Sequence, residues 1–272
     1  MSFNKQKKLG QVFLNNNNVL QEIIKAAEIK SNDKILEIGP GKGVLTQALV
    51  ETEANVIAVE KDAEFVKFLK NKFKNQSNLK IINADIRDFI QSDDWQAEYA
   101  MLDTVYKAIG NIPYYLTSHL IKLLLESKKQ PQNIILMIQK EVAQRIISQP
   151  PKMNLLSVSV QFYAKPEIIC YVPRTAFYPE PKVDSAVIKI TPMKTKENID
   201  KIQIKNFFRI VKAGFKQPRK LLINNFSKNL NLEKEYLQKI FLQSNLPLNT
   251  RAQNLSIKEW VSLSSLLMKN IV

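Results

Sequence analysis

The chain has 272 residues, enough for one large domain and a small one, and 45% of them are hydrophobic, an ordinary globular proportion. Its 40 basic residues outnumber 25 acidic ones, giving a net charge of +15 and a pI near 9.7, and this excess favours a polyanionic partner. A single cysteine, Cys170, excludes an internal disulfide or a cysteine metal cluster, and a single histidine, His119, excludes His-rich metal sites, so no metal is expected and both residues read as structural. Residues 1–14 are basic and then apolar (Leu9 to Leu14); they read as a tail with an anchor, and no apolar run follows the early lysines to make a secretory signal. Nor does any stretch reach the roughly 18 apolar residues of a membrane span, so a cytoplasmic protein is expected. Asn15 to Asn18 offer helix-capping side chains, and Val19, Leu20, Ile23, Ile24 and Ala27 follow with a helical period.

Ile35, Leu36 and Ile38 form a short apolar run, as in a strand buried on both faces. Gly39-Pro40-Gly41-Lys42-Gly43 breaks it, and Val44, Leu45, Ala48 and Leu49 resume at helical spacing. A glycine-rich turn between a strand and a helix N-terminus brings bare backbone and unpaired N–H donors to a polar ligand. A dinucleotide fingerprint would require glycine at position 44, where Val44 stands, and a P-loop is absent. E-x-G-x-G-x-G instead resembles the first motif of S-adenosylmethionine (SAM) dependent methyltransferases. A second strand, Asn55 to Val59, ends at Glu60, 21 residues beyond Gly39, where a carboxylate can accept both ribose hydroxyl hydrogens. A third, Leu79 to Asn83, ends at Ala84-Asp85-Ile86, which places Asp85 for an adenine amino group.

Strand and helix segments continue to alternate: helices at 44–50 and 63–73, a short segment at 86–90, a strand at 105–109, a helix at 118–125, a strand at 134–138 and a helix at 141–147. After Pro150-Pro151 come a helix at 155–163 and strands at 168–172 and 183–190. The alternation predicts an α/β fold with a parallel sheet and helices on both faces, and the seven strands counted fit the fold that the first motif suggests. A polar stretch from Thr191 to Asn198, broken by Pro192, marks a boundary between a catalytic domain at 1–192 and a helical domain at 193–272. Residues 194–272 hold 15 Lys or Arg against 5 Asp or Glu, a net of +10, with no acid between 201 and 232. Ile204, Phe207, Phe208, Val211 and Phe215 line one helix face while Lys205, Arg209, Lys212 and Lys216 line another. A solvated face would mix signs; a single-sign stripe suits phosphates.

The fourth strand ends in Gly110-Asn111-Ile112-Pro113-Tyr114-Tyr115, and ligands of open α/β sheets bind beyond the carboxyl ends of strands. An exocyclic adenine nitrogen is a poor nucleophile because its lone pair is delocalised into the ring. Acceptors aimed at its two N–H groups, the Asn111 side chain and a backbone carbonyl at Ile112 or Pro113, would localise that pair, while Tyr114 offers a stacking face. In Phe177-Tyr178-Pro179-Glu180-Pro181, two prolines hold a loop from which Phe177 could cover the other face of a flipped base; a rigid connector is the plain alternative.

Together G-Q-V-F-L (10–14), E-I-G-P-G-K-G-V-L-T (37–46), A-V-E-K-D (58–62), N-A-D-I (83–86), N-I-P-Y (111–114), Q-K-E-V-A-Q-R-I (139–146) and F-Y-P-E-P-K-V-D-S (177–185) resemble the ribosomal RNA adenine N6-dimethyltransferase family. K-A-G-F-K-Q-P-R-K-L-L-I-N-N (212–225) matches its C-terminal domain. The resemblance is greatest to the small-subunit branch, often called KsgA or RsmA, rather than to the Erm resistance branch. It implies a SAM-binding Rossmann-like domain with a small all-helical domain, and dimethylation of two adjacent adenosines in the 3′-terminal hairpin of small-subunit (16S) rRNA during subunit biogenesis. It places the cofactor at Val12, Leu14, Gly39, Gly41, Glu60, Asp85 and Asn111, and the target base at Asn111, Pro113, Tyr114 and Phe177. RNA contacts are expected from Lys205, Arg209, Lys212, Lys216, Arg219 and Lys220. The expected partner is small-subunit rRNA or an immature small subunit, met by a monomer. Val12 stands where the family has a polar residue, so contact there would be through backbone, and Lys152 to Leu155 and Pro218 also depart from the pattern. An Erm-type enzyme acting on large-subunit rRNA, a non-catalytic RNA-binding assembly factor and a nicotinamide dehydrogenase remain as alternatives.

Overall fold

The structure, a computed structural model, describes residues 13–92, 105–193 and 201–268. They form two compact units: one comprises the chain up to Gln144 together with Ala164–Pro192, the other Arg145–Tyr163 and the chain from Met193 on. The expected division at 192 therefore misses one segment. Residues 145–163 group with the C-terminal helices because Phe162 stacks on Phe207 at 4.2 Å and meets Phe208 edge-on, while Met153 N–H donates to the Gln253 carbonyl.

In the first unit β1 (Phe13–Leu14) precedes α1 (Asn17–Ala27), whose N-cap Asn16 accepts from Val19 N–H and whose Val19, Leu20, Ile23 and Ala27 are buried. Then follow β2 (Lys34–Ile38), α2 (Val44–Val50), β3 (Asn55–Glu60), α3 (Ala63–Lys72), β4 (Leu79–Asn83), α4 (Ile86–Phe89) and β5 (Tyr106–Asn111). A 3-10 turn at Tyr114–Leu116 leads into the helix Thr117–Glu126, after which come β6 (Asn133–Gln139), β7 (Ala164–Val172), β8 (Phe177–Tyr178) and β9 (Ser185–Pro192). Seven of these strands form one sheet in the order β4-β3-β2-β5-β6-β9-β7.

The sheet has the expected seven strands and is mixed, its parallel part being the strands of the alternating stretch. β2 to β6 pair in parallel, but β9 runs antiparallel to both β6 and β7. A parallel return needs a crossover, usually a helix; residues 173–184 between β7 and β9 carry only a 3-10 turn and the two-residue β8. β8 instead pairs antiparallel with β1, joining Leu14 to Phe177 and Phe13 to Tyr178. From β2 the chain winds outward through β3 to β4, then crosses back so that β5 lies on the other side of β2. That reversal makes a crevice at the carboxyl ends of β2 and β5. Gly110 allows the approach: a Cβ there would lie 2.6 Å from the Ile38 carbonyl oxygen.

The second unit is helical, with Leu155–Gln161, Lys201–Gly214, Leu222–Leu230, Lys234–Gln243 and Ile257–Met268 around the fully buried Trp260, Phe226 and Phe241. No helix of the described residues is long and apolar enough to cross a membrane.

Candidate active site

The turn after β2 has three glycines at positive φ, +67° at Gly39, +55° at Gly41 and +72° at Gly43. Such angles cost any residue with a Cβ, so the sequence specifies the turn directly. Gly39 N–H donates to the Val59 carbonyl and Gly43 N–H to that of Pro40, which closes the turn onto α2. A Cβ on Gly39 would meet only the Asn111 carbonyl oxygen, at 3.9 Å, so the backbone is bare on the side facing β5.

Between the ends of β2, β3, β4 and β5 lies a cavity of about 380 Å³, within the usual range for small-ligand sites. It brings together Leu14, Gly39, Gly41, Glu60, Asp85 and Asn111, together with Pro113. Glu60, 5% exposed, accepts from Gly41 N–H at 3.0 Å through Oε2 and from Asp62 N–H at 2.9 Å through Oε1. It thus holds the glycine turn to the end of β3. Burial raises its pKa, against the lowering effect of those N–H donors. Asp85 caps α4 and is gripped by Arg87, whose Nε and Nη2 lie 2.9 and 2.6 Å from its two oxygens, with Lys61 Nζ at 3.0 Å. The Arg87 guanidinium above all holds the Asp85 carboxyl well below the usual carboxylate range.

Asn111 ends β5 beside Ile112 and Pro113 in the cavity wall, and the Pro113 carbonyl accepts Leu116 N–H at 3.0 Å in the 3-10 turn. Tyr114 begins that turn; its side chain, like Val12, lies outside the described part of the structure. Phe177 is not brought into the cavity wall. It is 5% exposed and belongs to the core with Leu14, Val172 and Ala176, because β8 lies against β1. The proline-rich loop beyond it exposes Tyr178 at its start, and Arg174 pairs with Glu180 across it at 2.8 Å.

Two wall residues were not singled out by sequence. Glu37 on β2 is fully buried, and neither carboxyl oxygen has a hydrogen-bond partner among the described residues. Burial pushes its pKa up to about 8; the neighbouring Thr46 hydroxyl, without a partner in hydrogen-bond geometry among the described residues, offsets this in part, Glu60 adds to it and Lys72 opposes it. A carboxyl inside an apolar strand, as the first letter of E-x-G-x-G-x-G, was the signal that could have found it. Phe13 covers Gly41, whose Cβ would come within 3.1 Å of the ring, and Lys42 Nζ stands 4.4 Å from the ring centroid. The wall thus combines bare backbone with three carboxyls, a setting for a cationic ligand carrying polar groups.

In the second unit Lys205, Arg209 and Lys212 lie exposed on the helix Lys201–Gly214 opposite the buried Phe207, Ile210 and Val211. Lys216, Arg219 and Lys220 follow, also exposed, in the turn to the next helix. The Asn225 side chain, 2% exposed, pins that turn by accepting from Gln217 N–H and donating to its carbonyl. None of the six cations forms an ion pair among the described residues.

A family model described as ribosomal RNA adenine dimethylase matches residues 2–269. Ribosomal RNA small subunit methyltransferase A of Dehalococcoides mccartyi (strain CBDB1) is 37% identical over 260 residues, 95% of this chain and 87% of that protein. The protein of the same name from Aster yellows witches'-broom phytoplasma (strain AYWB) is 40% identical over 268 residues, 97% of this chain and 96% of its own. Among solved structures, a dimethyladenosine transferase from Plasmodium falciparum superposes with a TM-score of 0.79 at 26% identity, covering 94% of this chain and 98% of that one. The 23S rRNA methyltransferase ErmE reaches 0.72 at 21% identity over 93% and 98%, a likeness of fold alone. With the glycine turn, the strand-end acids and Asn111 gathered around one cavity, and with the family model spanning nearly the whole chain, this protein belongs to the ribosomal RNA adenine dimethylase family.

Proposed function

We propose that the protein dimethylates N6 of two adjacent adenosines in the 3′-terminal hairpin loop of small-subunit rRNA, as a step in small-subunit biogenesis in the cytoplasm. The observation that carries this reading is the placement of Asn111-Ile112-Pro113 in the wall of the same cavity as the Gly39 turn, at the reversal point of the sheet. Relatives that match over nearly their full length bear the name ribosomal RNA small subunit methyltransferase A, which favours small-subunit RNA.

The fold and the family imply SAM as cofactor, and the residues present fit it. Its ammonium and sulfonium charges suit a wall with an orphaned buried Glu37 carboxyl, and its ribose and purine suit Glu60 and Asp85 beside bare glycine backbone. When bound, SAM supplies a methyl group on an electron-poor sulfur. The protein's part is positioning. The Asn111 side-chain oxygen and a neighbouring carbonyl accept from the two N–H groups of the target amine and turn its lone pair toward the methyl. One lone pair of the Pro113 carbonyl already serves Leu116, so Ile112 is the second acceptor we favour. The alkylated amine is far more acidic than the neutral one, so its proton passes to solvent without a strong base. Tyr114 stacks on the base, and Phe177 reaches its other face after a shift of β8 away from β1. The cations from Lys205 to Lys220 take phosphates of the RNA, and the protein acts as a monomer.

The test is transfer of labelled methyl from SAM to separated small and large ribosomal particles lacking the modification, with Asn111→Ala as control and nucleoside analysis of the product. N6,N6-dimethyladenosine confined to small-subunit RNA, and lost in the variant, is expected. Label in large-subunit RNA alone would move the protein to the Erm branch. Tight RNA binding without transfer would make it a non-catalytic assembly factor.

A further inference from the structure

Asp85 is saturated. Its Oδ1 accepts from Arg87 N–H at 3.0 Å and from Arg87 Nε at 2.9 Å, and its Oδ2 accepts from Arg87 Nη2 at 2.6 Å and from Lys61 Nζ at 3.0 Å. A carboxylate offers about four acceptor positions, so a further donor enters only by displacing one of these. The donors differ in how firmly they are held. Arg87 delivers three of the four from its own backbone and one planar fork, a geometry suited to a carboxylate. Lys61 delivers one, from a side chain that is 66% exposed while Asp85 is only 13% exposed. An ammonium on a flexible stem returns to water at little cost.

We infer that Lys61 holds, at Asp85 Oδ2, the place that the exocyclic amino group of the cofactor's purine takes on binding, and that Arg87 is a positioning residue that fixes the carboxylate for this exchange. This rests on the reading that SAM binds with its purine at Asp85. Lys61, Asp85 and Arg87 all line the cavity. The exchange replaces one N–H donor by another, so it preserves every bond at Asp85 and favours purines that donate at position 6. A 6-oxo purine presents an acceptor there instead. It is repelled by the carboxylate and is accommodated only by drawing Lys61 onto itself.

The consequence has opposite signs for two variants that each remove one positive charge. Removing Lys61 deletes the competitor of an amino purine and the only partner of an oxo purine. Removing Arg87 frees the carboxylate to rotate. Calorimetric titration with S-adenosylhomocysteine and with S-inosylhomocysteine reads both. Lys61→Ala is expected to bind the adenosyl compound about two- to fivefold tighter, the scale of one exposed ion pair, with a larger preference for amino over oxo. Arg87→Ala is expected to bind it about tenfold more weakly, the scale of a charge-assisted hydrogen bond, with a smaller preference. Shifts of both variants in the same direction, or an unchanged preference in Lys61→Ala, would overturn the exchange while leaving SAM as the cofactor. No binding of S-adenosylhomocysteine to the wild-type protein would overturn both. Lys61 is exposed and its variant decides the matter even where Arg87→Ala is too unstable to titrate.

Discussion

Glu37 makes stability depend on pH in an unusual direction. Its ordinary pKa of 4.5 applies in the unfolded chain, while burial raises it to about 8 in the fold. Below pH 4.5 both states carry the proton. Between 4.5 and about 8 the unfolded chain releases it and the folded chain keeps it, so the folded state binds more protons and stability falls as pH rises. Above that window the loss is complete. At about 1.4 kcal/mol per pH unit the full effect is at most about 5 kcal/mol, a large part of a typical folding free energy. Glu37→Gln has no proton to lose and keeps a similar shape. Urea unfolding of the ligand-free protein at pH 5.5 and 8 should show the wild type losing several kcal/mol more than the variant over this interval. Comparing the two isolates Glu37, because every other titrating group is common to both. Parallel pH profiles would refute the assignment of a neutral, unpartnered carboxyl.

Gly43→Ala combines a backbone angle of +72° with a Cβ 2.7 Å from Leu69 Cδ2 and 2.8 Å from Phe73 Cε2. A loss of roughly 2–4 kcal/mol is expected in chemical denaturation, and a neutral result would mean that α2 and α3 separate freely. Near the amino ends of the strands, Lys107 is 4% exposed and donates to the Glu28 carbonyl at 2.6 Å and to Asp33 Oδ2 at 2.7 Å. Lys107→Ala should cost roughly 1–3 kcal/mol in the same assay by removing two charge-assisted hydrogen bonds, although Asp33 Oδ2 keeps Lys30 N–H at 2.8 Å; a loss below about 0.5 kcal/mol would show that water replaces the ammonium without penalty. Joint charge reversal of Lys205, Arg209 and Lys212 should weaken RNA binding and flatten its salt dependence by about 0.7–0.9 in log–log slope for each phosphate that is no longer neutralised. An unchanged slope would leave the stripe a solvated face.

Most of the first unit was legible because its strands are short apolar runs ending at acids or glycines: the expected segments at 44–50, 55–59 and 79–83 coincide with α2, β3 and β4 to within a residue. Strand direction was not, since an apolar run reads the same either way. The helix-free stretch from 173 to 184 was the clue that β9 returns antiparallel. The β1–β8 ladder is two residues long on each side, too short to carry a period, and so Phe177 looked like a loop aromatic rather than a core residue. Segment 145–163 was assigned by its position in the chain, whereas its grouping rests on aromatic contacts of Phe162 with residues some 45 positions away. In the site, the glycine turn and Asn111 stood out because their residue types are rare in strands. Arg87 and Lys61 did not, because a cation beside an acid is commonplace until the acid is seen to have no acceptor position left.

The three carboxyls in the cavity wall are set to three different states by their surroundings, and this decides what each can do. Asp85 is held ionised by Arg87, so it offers acceptors only and cannot serve a ligand carbonyl. Glu60 is raised by burial but spends one acceptor position of each oxygen on backbone N–H groups, so it is fixed in place with lone pairs left for hydroxyl donors. Glu37 has neither an ion pair nor an N–H donor among the described residues, Lys72 acting on it only weakly from a distance, and burial keeps its proton on near neutral pH. A cationic group placed beside it would reverse that balance and release the proton. Binding of SAM should therefore release protons near pH 7, visible as a dependence of calorimetric heat on the ionisation enthalpy of the buffer, and Glu37→Gln should abolish it. S-adenosylhomocysteine keeps the ammonium and lacks the sulfonium, so a release that persists with it assigns Glu37 to the amino end of the cofactor, and one that vanishes assigns it to the sulfur. Release unaltered in Glu37→Gln would show that the proton comes from another group and would remove Glu37 from the site.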